Sequence, residues 1–268
     1  MDFTDKRVLV VGTGVSGVAA IRLLAAKGAK PVVLEGNEKA DREQIRAKIP
    51  ESITYDLIIG NLPEEVMDTL DLAVLSPGVP IDLPFVIKLQ DKKIPVWGEI
   101  ELAYVCGKGR LAAITGTNGK TTTTALTGAI MREYYDSVFV VGNIGLPYTE
   151  YALEMKDSSV TVAEVSSFQL ETIHSFRPEV SAILNITPDH LNRHHTMENY
   201  IAAKESITKN QTADDICVLN YEDEVLREFG AGLQTKVIYF SSARKLEANP
   251  HVVRTKVGDQ IFLLIGHP

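Results

Sequence analysis

Residues 110–124 read R-L-A-A-I-T-G-T-N-G-K-T-T-T-T. The apolar residues 111–114 predict a buried strand, and the threonine-rich stretch that begins at Thr121 predicts a helix. Gly116 and Gly119 lie between the two elements, where missing side chains let successive backbone amides close around an anion. A strand, a glycine-rich turn and a helix in this order predict a site for the phosphates of a nucleotide.

Polar side chains in the same stretch supply the rest of a phosphate site. Lys120 adds a positive charge, and the following helix directs the positive end of its dipole at the same anion. The hydroxyl of Thr121 or Thr122 is placed to reach a phosphate-bound Mg²⁺. Because Ile114 stands where the usual motif has its first glycine, the loop is a shortened variant, and a glycine-capped turn with a solvated lysine remains the alternative. The predicted nucleotide-binding residues are Gly116, Thr117, Asn118, Gly119, Lys120, Thr121 and Thr122.

The composition is typical of a globular protein, and acidic residues outnumber basic ones. Its 268 residues are 45% hydrophobic and 23% charged, which suits one large or two ordinary domains. The net charge of −8 argues against a nucleic-acid partner. Cys106 and Cys217 lack the spacing of a metal site, which is typical of core thiols in a reducing compartment. The charged start, M-D-F-T-D-K-R, shows neither a signal peptide nor a spanning helix, so we expect a cytoplasmic protein without a membrane partner.

The first part of the chain predicts a strand, a tight turn and a helix. Residues 7–11 form an apolar run, residues 12–17 follow the pattern G-x-G-x-x-G, and residues 18–27 have helical periodicity. A second strand, at 31–34, ends on Glu35, about 20 residues after the glycines, where a dinucleotide-binding fold carries its ribose-binding acid. The alternative explanation of the glycines is close packing of the strand on the helix.

Three further strands predict that this first sheet is parallel and doubly wound. They lie at residues 55–59, 72–76 and 95–97, with helical segments between them. The run S-P-G-V at 76–79 ends the middle one. Because open α/β sheets bind ligands at the carboxyl ends of their strands, we expect this run to line the same crevice as residues 12–17. A strand-terminal cap is the alternative role for Ser76.

A glycine-rich joint at residues 106–109 separates this sheet from a second one. We therefore divide the chain into residues 1–106, a Rossmann-like parallel-sheet domain, and residues 107–268, a P-loop-type α/β domain. The strands predicted for the second sheet are short β-branched runs typical of buried parallel sheets. They lie at residues 111–114, 138–141, 160–163, 180–184, 216–219 and 237–240.

Chemistry-bearing residues follow three of these strands. The first run is G-N-I-G at 142–145, the second is E-V-S-S-F-Q-L-E at 164–171, and the third is N-I-T-P-D-H at 185–190. A later run, Y-I-A-A-K, lies in a helix predicted over 197–208 and ends on Lys204. From its helix position alone, Lys204 is expected on a solvated face of the helix. From its place in G-N-I-G alone, Asn143 is expected to be a turn residue.

Together these motifs resemble the Mur ligases of peptidoglycan synthesis. The matching runs are T-G-T-N-G-K-T-T, G-N-I-G, V-A-E-V-S-S-F-Q-L-E, N-I-T-P-D-H-L-N-R-H and Y-I-A-A-K. The form S-S-F-Q-L-E, with G-x-G-x-S-G and S-P-G-V before it, is similar to the branch of the family that adds D-glutamate. The resemblance implies that the γ-phosphate of ATP passes to the carboxylate of UDP-N-acetylmuramoyl-L-alanine, and that the amine of D-glutamate attacks the resulting acyl phosphate. It also implies Mg²⁺ as a cofactor, and we expect a monomer.

The resemblance assigns roles to individual residues. It implies that Lys120 is the phosphate cation and that Glu164 and His190 help to position magnesium. It further implies that Lys204 is carbamylated, which would turn an ammonium group into an oxygen ligand. The implied catalytic residues are Lys120, His190 and Lys204, and the implied metal ligands are Thr121, Glu164, His190 and Lys204. The implied substrate-binding residues are Gly14, Val15, Ser16, Glu35, Ser76, Pro77, Gly78 and Asn143, with the first domain holding the UDP moiety.

Other functions remain as alternatives at this stage. The glycines before Glu35 favour a nicotinamide-dependent oxidoreductase, against which the lysine loop argues. A catalytically silent UDP-sugar-binding module and a folylpolyglutamate-type or sister Mur ligase also fit some motifs. The cluster D-H-x-x-x-H-H at 189–195 suggests zinc, but we interpret His194 and His195 as loop residues. Ser166 and Ser167 lie in no G-x-S-x-G elbow, which argues against nucleophilic catalysis.

The resemblance also implies a further domain. Mur ligases have three domains, and the third makes most contacts with the incoming amino acid. The sequence ends at F-L-L-I-G-H-P, residues 262–268, before such a domain. We therefore expect a chain truncated within its ATPase domain that keeps its affinity for the UDP substrate, binds ATP weakly and does not ligate glutamate.

Overall fold

The computed structural model of the chain describes residues 1–243, 246, 252–257 and 260–265. The segment predicted over 107–268 therefore includes some residues outside the described part. Within the described part, no helix combines the length and apolar character that crossing a membrane requires.

The first sheet has five parallel strands in the order β3-β2-β1-β4-β5. The strands are β1 (Arg7–Val11), β2 (Lys30–Glu35), β3 (Asp56–Ile59), β4 (Leu72–Leu75) and β5 (Val96–Gly98). Their connecting helices are α1 (Val15–Ala26), α2 (Arg42–Arg46), α3 (Glu64–Met67) and α4 (Pro84–Asp91), and α5 (Glu99–Cys106) follows β5. The order reverses between β1 and β4, so a crevice is expected where these two strands end.

The second sheet has six parallel strands in the order β11-β10-β9-β6-β8-β7. The strands are β6 (Arg110–Thr115), β7 (Val138–Gly142), β8 (Val160–Glu164), β9 (Val180–Ile183), β10 (Ile216–Asn220) and β11 (Lys236–Phe240). The helices are α6 (Lys120–Arg132), α7 (Tyr148–Tyr151), α8 (Ser167–Leu170), α9 (Leu191–His194), α10 (Met197–Glu205) and α11 (Glu224–Gly232). Strands β12 (Val252–Val257) and β13 (Gln260–Ile265) form a separate antiparallel pair.

Burial on both faces explains why the strands are apolar without alternation. Val8 and Val10 of β1 contribute to one hydrophobic cluster, whereas Leu9 and Val11 contribute to another on the opposite face. Successive side chains of a strand point to opposite faces, so a sheet covered by helices on both sides needs apolar residues at every position. This confirms the prediction that the first sheet is parallel and doubly wound, and the second sheet is parallel as predicted.

The boundaries of two helices differ from the prediction. Helix α1 begins at Val15 rather than at residue 18, which places Val15 and Ser16 in its first turn instead of in the loop. Helix α10 ends at Glu205, and a 3₁₀ turn (Ser206–Thr208) completes the stretch that was predicted as one helix. Both differences arise at helix ends, where hydrogen bonding and not apolar periodicity sets the limit.

Helix α5 joins the two sheets through buried carboxylates. Glu101 accepts hydrogen bonds from the backbone amides of residues 174–176 at 2.6 to 2.9 Å. Glu99 accepts from the amide and the hydroxyl of Thr149 at 2.6 and 2.7 Å. Burial raises the pKa of Glu99. Two carboxylates of the first turn of one helix therefore hold segments of the second sheet against the first.

Both cysteines are core thiols, as expected. Cys106 and Cys217 are buried and form no disulfide. Burial raises the pKa of each thiol to about 11, so neither is ionised near neutral pH.

Candidate active site

Four neighbouring strands of the second sheet end at the same edge. Strand β9 leads into the loop that contains His190, and its neighbour β6 leads into residues 116–120, which we call the glycine-lysine loop. Strand β8 ends at Glu164, and β7 ends at Gly142, directly before Asn143. The chain order of the strands reverses on either side of β6, which is where open α/β sheets bind ligands. The tertiary structure thus brings the predicted phosphate loop and the predicted metal-binding residues to one edge.

The glycine-lysine loop has the form expected of a phosphate cradle. Gly119 adopts a left-handed conformation with φ of 83° at the start of helix α6, a backbone geometry that side chains disfavour. The amides of residues 119–122 begin this helix, and the amides of a first turn have no carbonyl partner within their own helix. Lys120 folds back on the loop, where its Nζ donates to the carbonyl oxygens of Gly116 and Thr117 at 3.0 and 2.9 Å.

Asn185 holds the first half of this loop. Its backbone oxygen accepts from the amide of Thr117 at 2.9 Å, and its Oδ1 accepts from the amide of Asn118 at 2.8 Å. Its Nδ2 donates to the carbonyl oxygen of Asn118 at 3.0 Å. The amides of Thr117 and Asn118 therefore bind protein atoms, whereas they were predicted to bind a phosphate. No role was predicted for Asn185, although its position directly after a strand was the available signal.

Tyr200 supports the same loop from helix α10. Its hydroxyl lies 3.1 Å from the Oγ1 of Thr117, which also donates to the carbonyl oxygen of Thr187 at 3.1 Å. The tyrosine is buried, and burial raises the pKa of its hydroxyl. No role was predicted for Tyr200, since an aromatic residue in a helix usually indicates core packing.

Lys204 is not on a solvated helix face, in contrast to what its helix position favoured. It is 2% exposed, and its Nζ donates to the carbonyl oxygen of Gly116 at 2.8 Å. Its Nζ also lies 4.7 Å from the centre of the Tyr200 ring. Burial, aided by the charge of Lys120, lowers the pKa of Lys204 to about 7. The packing of α10 against the loop thus creates a buried amine that titrates near neutral pH.

Glu164 carries the feature of this edge that best fits a metal ion. The residue is buried, and its Oε1 accepts a hydrogen bond from Nδ2 of Asn143 at 2.9 Å. Its Oε2 is buried and has no hydrogen-bond partner among the described residues. An unpartnered carboxylate oxygen in a buried position is costly unless a cation or a water binds it. Carboxylate oxygen is also the ligand that Mg²⁺ prefers.

The other predicted metal ligands are arranged more loosely. Thr121 is exposed in the first turn of α6. His190 is half-exposed, with its Nε2 at 3.4 Å from Oδ2 of Asp189 and its ring centre 4.9 Å from that of Phe168. Lys204 in its ammonium form donates hydrogen bonds and has no lone pair for a cation. In the described residues, no three His, Cys, Asp or Glu side chains form a ready-made metal cluster.

His194 is a core residue rather than the loop residue that we expected. It ends helix α9 and is buried, with Nδ1 at 3.2 Å from Oε1 of Glu171 and Nε2 at 2.9 Å from Oγ of Ser167. Burial lowers the pKa of His194 to about 4, so the ring is neutral at pH 7. Both of its nitrogens bind protein atoms, which argues against zinc at this cluster. Ser167 is buried as well, so the three residues form a structural network.

The crevice of the first sheet forms where β1 and β4 end. A Cβ atom added at Gly12 would lie 2.8 Å from Oγ of Ser76, and one added at Gly17 would collide with the carbonyl oxygen of Gly12. The glycines therefore allow the turn, helix α1 and the S-P-G-V loop to meet. The Oγ of Ser76 is buried without a hydrogen-bond partner among the described residues. Glu35, at the end of β2, accepts from the hydroxyl of Thr13 in the same turn.

Family models match both parts of the chain. Residues 114–266, more than half of the chain, match the Mur ligase middle domain. Residues 6–98 match the Mur ligase MurD-like N-terminal domain.

Curated relatives and solved structures agree with these matches. The chain is 58% identical over 247 residues to a UDP-N-acetylmuramoylalanine--D-glutamate ligase of Lachnoclostridium phytofermentans, covering 92% of this chain and 54% of that protein. It is 54% identical over 252 residues to the ligase of the same name from Lachnospira eligens, covering 94% of this chain and 56% of that protein. The chain thus spans about half the length of these relatives.

Two solved structures share the fold at low sequence identity. The UDP-N-acetylmuramate:L-alanyl-gamma-D-glutamyl-meso-diaminopimelate ligase of Neisseria meningitides has a TM-score of 0.61 at 15% identity, over 98% of this chain and 85% of that one. MurC of Thermotoga maritima has a TM-score of 0.52 at 23% identity, over 89% of this chain and 53% of that one. With the middle-domain model spanning more than half of its residues, this chain belongs to the Mur ligase family.

Proposed function

We propose that this chain forms the nucleotide-binding and UDP-substrate-binding parts of an ATP-dependent, ADP-forming ligase that joins D-glutamate to UDP-N-acetylmuramoyl-L-alanine. The names of the relatives at 58% and 54% identity give the reaction. The observation that carries the proposal is the unpartnered Oε2 of Glu164, on the strand next to the one that leads into the Lys120 loop. A buried anionic oxygen beside a phosphate loop is the arrangement that a metal-nucleotide complex requires.

The reaction has a chemical difficulty that these residues address. A carboxylate is a poor acylating agent, so the γ-phosphate of ATP must first be transferred to it, which releases ADP and gives an acyl phosphate. The amine of D-glutamate then displaces phosphate, forms the amide bond and loses a proton. Donor and acceptor are both anions, so the site must screen their repulsion and hold them in line. Lys120 and the amide end of helix α6 supply positive charge for this purpose.

The metal-binding part of the proposal rests on Glu164. Its free carboxylate oxygen and the hydroxyl of Thr121 would hold Mg²⁺, with His190 on the neighbouring loop. The ion, when bound, neutralises charge on the phosphates. In its ammonium form Lys204 braces the carbonyl of Gly116. By family resemblance we propose that a carbamylated Lys204 serves as a further oxygen ligand.

The first sheet would bind the other substrate. Residues 1–106 would hold the UDP moiety, with Gly14, Val15 and Ser16 approaching its pyrophosphate at the start of helix α1. Residues 107–268 would hold ATP. The unpartnered hydroxyl of Ser76 supports a polar ligand in the crevice between β1 and β4. Asn143 would contact the muramoyl substrate from the second sheet. We further propose a monomer that acts in the cytoplasm.

Calorimetric titration of the chain with UDP-N-acetylmuramoyl-L-alanine and, separately, with Mg-ATP tests the proposal. Wild type should bind both. Lys120→Ala should lose measurable Mg-ATP binding and keep the UDP substrate. Lys108→Ala is the matched control, because Lys108 is an exposed lysine paired only loosely with Asp157 at 3.7 Å. A folded wild type that binds neither ligand, or that binds NAD instead, would overturn the proposal.

A further inference from the structure

The turn that carries His190 is strained. His190 and His195 both have positive φ angles, 51° and 66°, on either side of the single turn of helix α9, and His190 adopts the left-handed conformation. A residue other than glycine rarely adopts this conformation, and it persists only where surrounding contacts impose it. The contacts that hold residues 190–195 therefore determine where the His190 ring lies.

Glu171 is the centre of those contacts. Its Oε2 accepts from Nη2 of Arg193 at 2.8 Å, and its Oε1 lies 3.2 Å from Nδ1 of His194. The side chains are well shielded, with exposed fractions of 11% for Glu171, 13% for Arg193 and 2% for His194. Because water is largely excluded, these charge-assisted bonds are stronger than surface ion pairs.

The second nitrogen of His194 extends the network. Glu171 is an acceptor, so the neutral ring carries its proton on Nδ1, and Nε2 accepts from the hydroxyl of Ser167 at 2.9 Å. The ring of Phe168 lies beside three side chains of the turn, those of His190, Arg193 and His194. Its centre is 4.9 Å from the His190 ring, 5.3 Å from the His194 ring and 4.8 Å from the Arg193 guanidinium. A displacement of Arg193 or His194 would therefore move the surface on which His190 packs.

Arg193 carries the network into the first sheet. The same Nη2 that binds Glu171 also donates to the carbonyl oxygen of Val79 at 3.0 Å. Val79 ends the S-P-G-V loop that borders the crevice next to β1. One guanidinium thus connects the loop of one sheet with the strained turn of the other.

We infer that Glu171 is a positioning residue, which fixes the His190 turn and, through Arg193, the Val79 loop relative to one another. The role rests on the proposed function, in which the UDP substrate spans both sheets. Glu171 sets the distance between the Val79 loop, at the proposed UDP crevice, and His190, at the proposed magnesium site. It takes no part in the chemical step itself.

Glu171→Gln tests the role with little change of shape. Glutamine is neutral and has one acceptor oxygen, so with that oxygen on Arg193 its amide group faces Nδ1 of His194. The bond to His194 then survives only if the ring moves its proton to Nε2, and the charge assistance to Arg193 is lost in either case. Affinity for UDP-N-acetylmuramoyl-L-alanine should fall about tenfold, the effect of losing one charge-assisted hydrogen bond. Affinity for Mg-ATP should fall as well, because His190 belongs to the proposed Mg²⁺ site. Glu150→Gln is the control, because Glu150 pairs with Arg22 across the same two sheets at 3.1 Å but is largely exposed.

Spectra of the ligand-free protein provide a readout that does not depend on the reaction. With ¹³C-labelled histidine, Glu171→Gln should shift the ring signals of His190 and His194 and leave that of His174 in place. His174 binds the carbonyl oxygen of Val96 and lies outside the network. Unshifted His190 signals together with unchanged substrate affinity would refute the inference.

Two further outcomes are distinguishable. If wild type binds neither ligand, the proposed function fails, and the spectra decide alone whether Glu171 positions His190. If Glu171→Gln does not fold, Arg193→Lys replaces it, because an ammonium group lacks the planar fork that contacts Glu171, Val79 and Phe168 together. Loss of substrate affinity with shifted His190 signals in that variant supports the inference, and wild-type behaviour overturns it.

Discussion

Lys120 and Lys204 donate hydrogen bonds to the same acceptor, the carbonyl oxygen of Gly116, at 3.0 and 2.8 Å. Two ammonium groups around one oxygen repel each other, and Lys204 is in addition buried. Its pKa of about 7 reflects both effects, with burial the larger. The glycine-lysine loop is therefore held by a group whose charge is costly in this position.

Replacing Lys204 by methionine should leave the free energy of unfolding unchanged or raise it by up to about 2 kcal/mol at pH 7. Methionine fills a similar volume and removes the buried charge, while the carbonyl of Gly116 keeps Lys120 as a donor. Lys204→Ala is the control, and its free energy of unfolding should fall by about 2–4 kcal/mol, because the shorter side chain leaves a cavity. Urea denaturation measures both. A loss above about 2 kcal/mol in Lys204→Met would show that the Gly116 bond outweighs the cost of burial.

Gly17→Ala should destabilise the protein by about 1–3 kcal/mol, because the added methyl group would collide with the carbonyl oxygen of Gly12. Gly14→Ala should cost less than about 1 kcal/mol, since its Cβ would meet no atom within 4 Å and its φ is −77°. Thermal and urea unfolding compare the two variants. If the two variants lose the same stability, close packing is not what requires glycine at position 17.

The buried carboxyl of Glu99 should make stability depend on pH. Burial raises its pKa in the folded protein above the value of about 4.5 in the unfolded chain. The unfolded chain therefore releases this proton first as the pH rises, and the contribution of Glu99 to stability is present below pH 4.5 and lost above it. Relative to wild type, Glu99→Gln should gain stability as the pH rises from 4.5 to 8 in urea titrations. A difference that does not change with pH would contradict this.

Asn185→Asp should weaken Mg-ATP binding at least about tenfold while the protein remains folded. The change removes the Nδ2 that donates to the carbonyl oxygen of Asn118, and it places a negative charge beside the glycine-lysine loop. Asn210→Asp is the matched control, because Asn210 also donates from Nδ2 to backbone oxygens, those of His174 and Phe176, away from the loop. Calorimetric titration should find wild-type affinity in the control. Equal weakening in both variants would indicate a general loss of stability.

Much of the fold follows from local sequence patterns. The strand at Arg7–Val11 has the predicted limits, and each of the other predicted strands was found within one residue at either end. Short β-branched runs, glycine turns and helical periodicity are properties of a few contiguous residues, so they can be recognised without knowledge of the rest of the chain. Two predicted helix starts lie within one residue of those observed, but helix α1 begins three residues earlier than predicted, because helix limits depend on individual hydrogen bonds.

The candidate site was predicted in part. The glycine-lysine loop was predicted from the strand before it and the helix after it, and the role of Glu164 was implied by the resemblance; parallel topology brings both to one edge. The roles of Asn185 and Tyr200 were missed, and His194 was wrongly interpreted as a loop residue. Each of these side chains acts through a partner distant in sequence, such as Thr117 for Tyr200, 83 residues away. Residue type and local pattern carry no information about such partners.

The sequence by itself predicted the strands of the two parallel sheets and the glycine-lysine loop, because periodicity, apolar runs and glycine are local causes of structure. Only the tertiary structure decided which distant groups meet. It buried Lys204 against Gly116, 88 residues away in the chain, and joined Arg193 to Val79 across 114 residues. The pKa of Lys204 is set by burial and by the charge of Lys120, and its neighbours come together only once helix α10 has packed against the glycine-lysine loop.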